Sequence, residues 1–472
     1  MRTLMKYSIA ATVLLTIHVM AGCKVSKDVT VPDMKLPVAF RDNPEDSVSI
    51  GALPWKSYFD DPELKTLIAD AIDHNFDLQV AVNNIQAAEL VLKQAKLGDV
   101  PSVGVGLSAS SGRPSDNSLN GMQLNSFLGQ QHIEDYSLAA SLTWEADIWG
   151  KIHGRKEAAL AGYLSTQEAR KGVQTRIVSD ISKGYYNLLM LDAQLRIAKN
   201  NVLLNDSTLS LVQLQYKSGK VSNLAIQQVE AQKLTAEALV PRFEQQIAVQ
   251  ENAISVLSGR LPNPVNRYRV LDSLVFAEKL TTGLPAELLK RRPDVRQAEL
   301  ALDKANAEVG VAKASLYPSL TINGQGGLDA IRASNWFNLP ASLFGTVVGG
   351  IAQPLFDKKR LRTNFNVAKT DREITVIRFR QSVLTAYGEV SDALVKLDKL
   401  KQQQYLAAER TGTLQQATRN SQLLFKNGMA TYLEVIIAES NVLQSQLELA
   451  SIKKARLDAT VDLYRSLGGG WN

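Results

Sequence analysis

The chain repeats itself once, and that duplication limits the folds open to it more than any other feature. Asp77-Leu78 and Asp294-Val295 stand 217 positions apart. At the same offset Ala81 meets Ala298, Ala88 meets Ala305, Ala95-Lys96 meets Ala312-Lys313 and Pro101-Ser102 meets Pro318-Ser319. The alanines recur every seven residues in both copies, which marks one narrow, closely packed helix face. Each copy ends at Pro-Ser, where a helix has to stop.

After each Pro-Ser the period changes from helical to alternating. Val103, Val105 and Leu107 in the first copy, and Leu320 and Ile322 in the second, read as period-two strands. A polar Gly/Asn/Ser-rich loop follows each, over 115–135 and 329–341, and then a returning strand. The spacing predicts strands at about 101–112, 136–148, 318–328 and 343–356. Segments of about 10 residues suit a tilted membrane crossing.

Each hairpin is followed by a very long helix, at about 151–217 and 358–426. Ile177, Ile181, Gly184, Leu188, Leu191, Leu195, Ala198 and Val202 alternate steps of four and three, as do Val383, Tyr387, Val390, Leu394 and Leu397. That spacing predicts a coiled-coil seam rather than a broad apolar stripe. Both helices break at matching turns, where Gly219 and Gly428 read as left-handed residues that end one helix before the next. Return helices follow at about 222–257 and 431–466, carrying Glu230 and Glu439 at one offset, and Pro241 predicts a kink or break in the first. Residues 258–285, rich in Pro, Asn and Gly, read as a linker with a short strand or two.

The N-terminus carries separate information. Arg2 and Lys6 precede a short apolar stretch from Tyr7 to Val19, the pattern of a secretory signal rather than of a spanning helix. Met20-Ala21-Gly22-Cys23 resembles a lipobox, with Met20 in place of the usual Leu, and predicts lipidation of Cys23. As the single cysteine of the chain, Cys23 leaves no internal disulfide framework or Cys-based zinc site to build. No apolar run reaches the ~18 residues of a transmembrane helix, so a membrane crossing has to be made by strands closed into a barrel. The net charge of +6 is dispersed, with no basic run interleaved by aromatics, which gives nucleic-acid binding no support. His74, His132 and His153 are scattered, and neither a nucleophile elbow, a Walker loop nor an H-E-x-x-H motif occurs. The chain is therefore not expected to be an enzyme or to hold a cofactor or metal.

The order helix, hairpin, long helix, turn, helix, twice over, resembles the outer-membrane efflux channels of the TolC/OprM-like family, specifically its lipoprotein NodT branch. The resemblance runs from about Trp55 to Leu467. It rests on Leu288-Leu-Lys-Arg-Arg-Pro-Asp-Val295, Tyr317-Pro-Ser319, Trp144-Glu-Ala-Asp-Ile-Trp-Gly150, Gln353-Pro-Leu-Phe-Asp357 and the two glycine turns. It implies a mainly α chain with a membrane β-barrel, a homotrimer sharing a 12-stranded barrel and a periplasmic 12-helix barrel. Four strands alone enclose nothing, which agrees with a shared barrel. The implied organisation is a signal peptide over 1–22, a lipidated segment over 23–55, a first repeat over 56–258, a linker over 259–285 and a second repeat over 286–467. The implied function is the exit duct of a tripartite efflux pump in the Gram-negative outer membrane, conducting small molecules passively. Its partners would be a periplasmic adaptor, an inner-membrane pump and outer-membrane lipids. Type I protein export and a purely structural coiled-coil lipoprotein are the alternatives.

The resemblance also implies that the two turns form a periplasmic tip where the pore closes and the adaptor docks. Gly219, Phe425, Gly428, Tyr432, Glu434, Ile437 and Lys453 are the candidate residues there. Glu434 falls where the family places an acidic gate residue, Ile437 replaces a second, Ala225 stands where some members carry a carboxylate, and Lys453 is the expected partner cation. Glu434 reads equally well as a first-turn acid favourable to the helix dipole. If charge does not close the tip, Phe425, Tyr432 and Ile437 offer an apolar seal. Arg291-Arg-Pro-Asp294 reads as structural, and Trp144, Trp149, Trp336 and Phe356 as aromatics of the membrane interfaces.

Overall fold

The computed structural model describes residues 28–32, 37, 40, 49–129, 131–274, 281–283 and 285–472. The signal segment and Cys23 lie outside the described residues. After a short helical segment at Trp55–Tyr58 come two longer helices, α1 (Pro62–His74) and α2 (Phe76–Lys96). Pro62 fills the first turn of α1, where no donor is needed, and the Asp61 carboxylate accepts the N–H of Glu63 at 3.0 Å. A hairpin follows, β1 (Ser102–Gly112) and β2 (Ile133–Ala146), with a helix α3 (Leu119–Leu128) in its loop. Then come α4 (Lys151–Lys217) and α5 (Asn223–Leu257). The second repeat runs α6 (Pro293–Ala314), β3 (Ser319–Ala330), β4 (Leu343–Ala352), α7 (Arg360–Lys426) and α8 (Tyr432–Ser466).

The duplication is visible in the lengths, since α4 and α7 are each 67 residues and α5 and α8 each 35. The same device starts both long helices. Asp147 accepts the backbone N–H of Ile152 at 2.8 Å, and Asp357 accepts that of Leu361 at 2.9 Å, each satisfying an orphan donor of the first turn.

By packing, the chain divides into two units, each assembled from parts of both repeats. One comprises the described residues up to Pro32, with Gln86–Leu164 and Leu300–Ile377, and carries the sheet. The other comprises Asp33–Ile85, Ser165–Glu299 and Arg378–Asn472 and carries the main hydrophobic core. That core gathers Trp55, Phe59, Leu64 and Ile68 around Ile177, Ile181, Tyr185 and Leu188 of α4, with Leu457, Val461 and Tyr464 of α8. Buried Arg292 donates to Asp294 at 2.7 Å, Glu389 at 2.8 Å and the Ser466 carbonyl at 3.1 Å, tying α6, α7 and α8 together, so the Arg-Arg-Pro-Asp motif is structural.

Several expectations are corrected. The seam of α4 is not narrow here: Val178, Ser182, Tyr185, Leu189 and Ala193 are buried beside the heptad positions. Short segments around Trp55–Tyr58 and α1 pack against faces that a bare coiled coil leaves to solvent. Gly184 lies inside this unit, where an added Cβ would stand 3.0 Å from Gln250 and 3.1 Å from Ile254 of α5. Residues 115–135 are not a plain loop, because Ser118 caps Gly121 at 3.1 Å and Gly129, at φ 62°, ends α3. Helix α5 continues through Pro241, losing one donor without breaking. The linker forms no ladder among its described residues, only a single bridge between Ser49 and Thr282. Pro262 and Pro264 have no N–H to give to a ladder. Finally, β4 stops at Ala352, before Pro354, and α7 starts at Arg360 because Lys358 and Lys359 adopt positive φ.

Candidate functional site

The sheet has strand order β1-β2-β3-β4, antiparallel throughout, so β1 and β4 are edges. Directly opposed residues project from the same side of an antiparallel sheet, and the register therefore sorts the side chains into rows. Val103, Leu142, Gly324 and Val347 form one row, and Leu107, Leu138, Leu328 and Leu343 another on the same face. Trp144, Ile322 and Gly349, then Ala146, Leu320 and Ile351, continue it. The opposite face carries Ser102, Thr143, Asn323 and Val348 in one row and Gly104, Ser141, Gln325 and Thr346 in the next. Ser108, Ser137 and Asp329 lie on that polar face as well. Val103, Val105, Leu107, Val347 and Ile351 are exposed, so the edge strands leave their apolar face uncovered by the described residues.

An open sheet of this kind would leave apolar side chains in water and two rows of backbone donors and acceptors unpaired. In a bilayer the apolar face is at home, but the edges then have to be paired. The strands run from 10 to 14 residues, enough for a tilted crossing. No described helix is long and apolar enough to cross a membrane. The aromatics expected at the interfaces sit at the strand ends. Trp144 Nε1 donates to the Asp99 carbonyl and Trp149 Nε1 to the Pro318 carbonyl, each at 2.8 Å, while Trp336 packs against Tyr136 and Phe337.

The helical turns form the second region. Gly219 and Gly428 have φ of 72° and 74°, and Lys220 N and Met429 N each donate 2.9 Å back to the carbonyls of Gln215 and Leu424. This is the same glycine-terminated helix end twice. Between the two hairpins Val212, Ala225, Val229, Phe425 and Val435 form a small buried cluster. Tyr432 OH donates to Gln228 at 2.7 Å and links the return helices. Phe425 is only 3% exposed, so it holds the hairpins together and is not free to act as a seal. Exposed apolar groups at the turn are Met429, Leu433 and Ile437 instead.

Glu434 is exposed, and its Oε2 accepts the Thr431 backbone N–H at 2.6 Å and the Thr431 hydroxyl at 3.2 Å. Lys453 does not approach it. Its ammonium pairs with Asp272 at 2.6 Å, and the 19 residues of α8 between Lys453 and Glu434 amount to ~28 Å at 1.5 Å per residue. The expected Glu434–Lys453 pairing is thus corrected, because 19 positions along one straight helix hold the two side chains too far apart to pair.

Sequence reasoning missed the chemistry at Glu439. This carboxylate is 0% exposed and its Oε1 accepts from Thr208 of α4 at 2.7 Å and Gln422 of α7 at 2.9 Å, leaving Oε2 without a partner. Burial pushes its carboxyl above the ordinary range, with the two hydrogen bonds opposing that shift. The polar face of the sheet was legible as the alternate positions of each strand, whereas the burial of Glu439 had no sequence signal.

A two-faced sheet with unpaired edges and duplicated pairs of 67- and 35-residue helices define a chain of the outer-membrane channel-tunnel class. The chain belongs to the outer membrane efflux protein family, whose family model matches residues 67–260 and 284–469. It is 27% identical over 462 residues to the cation efflux system protein CusC of Escherichia coli, covering 96% of each chain. It is 26% identical over 467 residues to a Salmonella typhimurium protein named "Probable outer membrane lipoprotein SilC", covering 97% of each. A crystal structure of CusC superposes with a TM-score of 0.82 at 26% identity, covering 94% of this chain and 100% of that one. The protein is an outer-membrane component of an efflux system, of a family of channels rather than of enzymes.

Proposed function

We propose that three copies close their sheets edge to edge, β4 of one on β1 of the next, into a 12-stranded barrel whose polar Ser/Thr/Asn/Gln face lines the pore. The observation that carries this is the pair of free edges on a sheet with one apolar and one polar face. Three sheets give twelve strands, beyond the eight that side chains can fill, and therefore an open lumen. The helices of the three copies form a 12-helix barrel by the same closure. Small molecules, delivered by an inner-membrane pump through a periplasmic adaptor, pass down this duct without being chemically recognised. The naming of CusC as a cation efflux protein supports small-molecule efflux over protein export. Cys23 is the lipid anchor, consistent with the lipobox-like Met20-Ala21-Gly22-Cys23 and the name of SilC.

The glycine turns dock the adaptor and close the pore, with Met429, Leu433 and Ile437 as the apolar ring and Glu434 as its charged neighbour. Light scattering in mild detergent should give a trimer, and planar bilayers should show discrete conductance. A stable monomer would refute the shared barrel. Cys23→Ala should abolish labelling by a palmitate analogue, and labelling that survives would remove the anchor from the proposal.

A further inference from the structure

The turn that joins β4 to α7 differs from its counterpart between β2 and α4 in a way the channel itself does not require. In the first repeat the lysines of the turn are paired: Lys151 with Glu145 at 2.8 Å and Lys156 with Asp99. Gly150, with φ of 72°, takes the left-handed conformation that costs glycine nothing. In the second repeat Lys358 and Lys359 take that conformation, at φ of 58° and 65°. Side chains other than Gly, Asn and Asp rarely adopt it.

Lys358, Lys359, Arg360 and Arg362 are exposed, and none makes an ion pair or side-chain hydrogen bond among the described residues. Across a cleft of about 450 Å³ from Arg360 stands Arg155, unpaired in the same sense. Directly before the cations, Leu355 is 83% and Phe356 99% exposed. They follow, four and five residues on, Ile351, the last residue on the apolar face of β4.

We propose that this junction binds the anionic headgroups of phospholipids in the inner leaflet of the outer membrane, an inference that rests on the sheet spanning that membrane. Leu355 and Phe356 enter the interface where the hydrocarbon ends. Lys358, Lys359, Arg360 and Arg362, with Arg155 across the cleft, lie at the level of the phosphates. Apolar anchors followed by four cations within five residues match a surface that is apolar inside and negative at its rim. Two acids stand nearby without pairing with these cations: Asp357 caps Leu361, and Glu308, which lines the same cleft, faces Lys304 at 3.8 Å.

The test uses the full-length protein purified in mild detergent and transferred to vesicles of phosphatidylethanolamine, with or without phosphatidylglycerol. Native mass spectrometry after re-extraction reads the retained lipid. Wild type should retain phosphatidylglycerol in preference to phosphatidylethanolamine. The variant Lys358→Gln, Lys359→Gln, Arg360→Gln, Arg362→Gln should lose that preference by roughly tenfold or more, given the attraction of several cations for an anionic surface. Its conductance in planar bilayers should equal wild type, which separates a failure of this proposal from a failure of the channel reading.

Unchanged preference in the variant overturns the proposal. So does displacement of the lipid by millimolar inorganic phosphate, which would reveal a free-anion site instead of a lipid surface. Should the fourfold variant not assemble, a salt titration of wild type decides. Retention that weakens severalfold as the Debye length shrinks supports the proposal, and salt-insensitive retention overturns it. Phe356→Ser, at a fully exposed position, should lower retention of both lipids while leaving the fold intact.

Discussion

The return helices α5 and α8 are equal in length and sit at equivalent points of the two repeats, yet they place their matching glutamates in opposite surroundings. Glu230 of α5 is exposed, whereas Glu439 of α8 is sealed between Thr208 and Gln422. Likewise Ala225 belongs to the buried cluster at the helical turns, while Glu434, at the same offset of 209, is exposed and holds Thr431. Duplication therefore set the backbone of both halves, including their glycine turns. Divergence at this position then left a buried alanine after the first turn and an exposed, hydrogen-bonded glutamate after the second.

The largest expected effect breaks this comparison at the buried glutamate. Glu439→Ala leaves Thr208 and Gln422 without their acceptor and opens a cavity, so it should destabilise by about 3 kcal/mol, whereas Glu230→Ala should fall within about 0.5 kcal/mol. Denaturant midpoints measure both, and equal losses would show that burial is not what separates the two positions. The same carboxyl links stability to pH. Its folded-state affinity for a proton is raised by burial, so its contribution is fully present below the unfolded value of about pH 4.3 and is lost as pH rises through the higher folded value. Glu439→Gln should keep hydrogen-bonding capacity, flatten that fall and stabilise the protein at neutral pH. A Gln variant with an unaltered pH profile would reassign the dependence to other groups.

Next in size is a comparison between the long helices. Gly184 of α4 is enclosed by Gln250 and Ile254, while Gly388 of α7 has open space where a Cβ would stand. Gly184→Leu should cost about 2 kcal/mol by overpacking, and Gly388→Ala should gain about 0.5–1 kcal/mol by removing backbone freedom from the unfolded chain. Thermal unfolding of the two variants should move in opposite directions.

Gly219→Ala and Gly428→Ala should cost about 1 kcal/mol each, because both occupy the left-handed region with open surroundings. Unequal losses would break the equivalence of the two turns. The smallest effect is expected at Glu434→Ala, which converts the second turn toward the first. Loss of its bonds to Thr431 should cost about 0.5–1 kcal/mol. If Glu434 also rings the aperture, single-channel conductance should rise and cation preference fall. Unchanged conductance would leave closure to Met429, Leu433 and Ile437.

The residues themselves settled the duplication, the alternating strands, the helix ends at Gly219 and Gly428 and, among the described residues, the lack of a helix apolar enough to span a membrane. These are local properties, written in periods of two or seven residues and in the unique backbone freedom of glycine. Asp147 and Asp357 could likewise be placed at helix starts, since capping involves only neighbours in the chain. What sequence could not decide was which of two equivalent side chains is enclosed. Glu230 and Glu439 occupy matching positions of the two return helices, and Phe425 and Ile437 are both apolar residues flanking one turn. Their fates depend on Thr208, Gln422, Val212 and Val229, which tertiary packing brings from more than a hundred residues away or from a different helix. Burial is a property of the partners a residue meets and not of its own type. Only the packed helices therefore made Glu439 a buried acid, Phe425 a clamp between hairpins and Lys453 the partner of Asp272 rather than of Glu434.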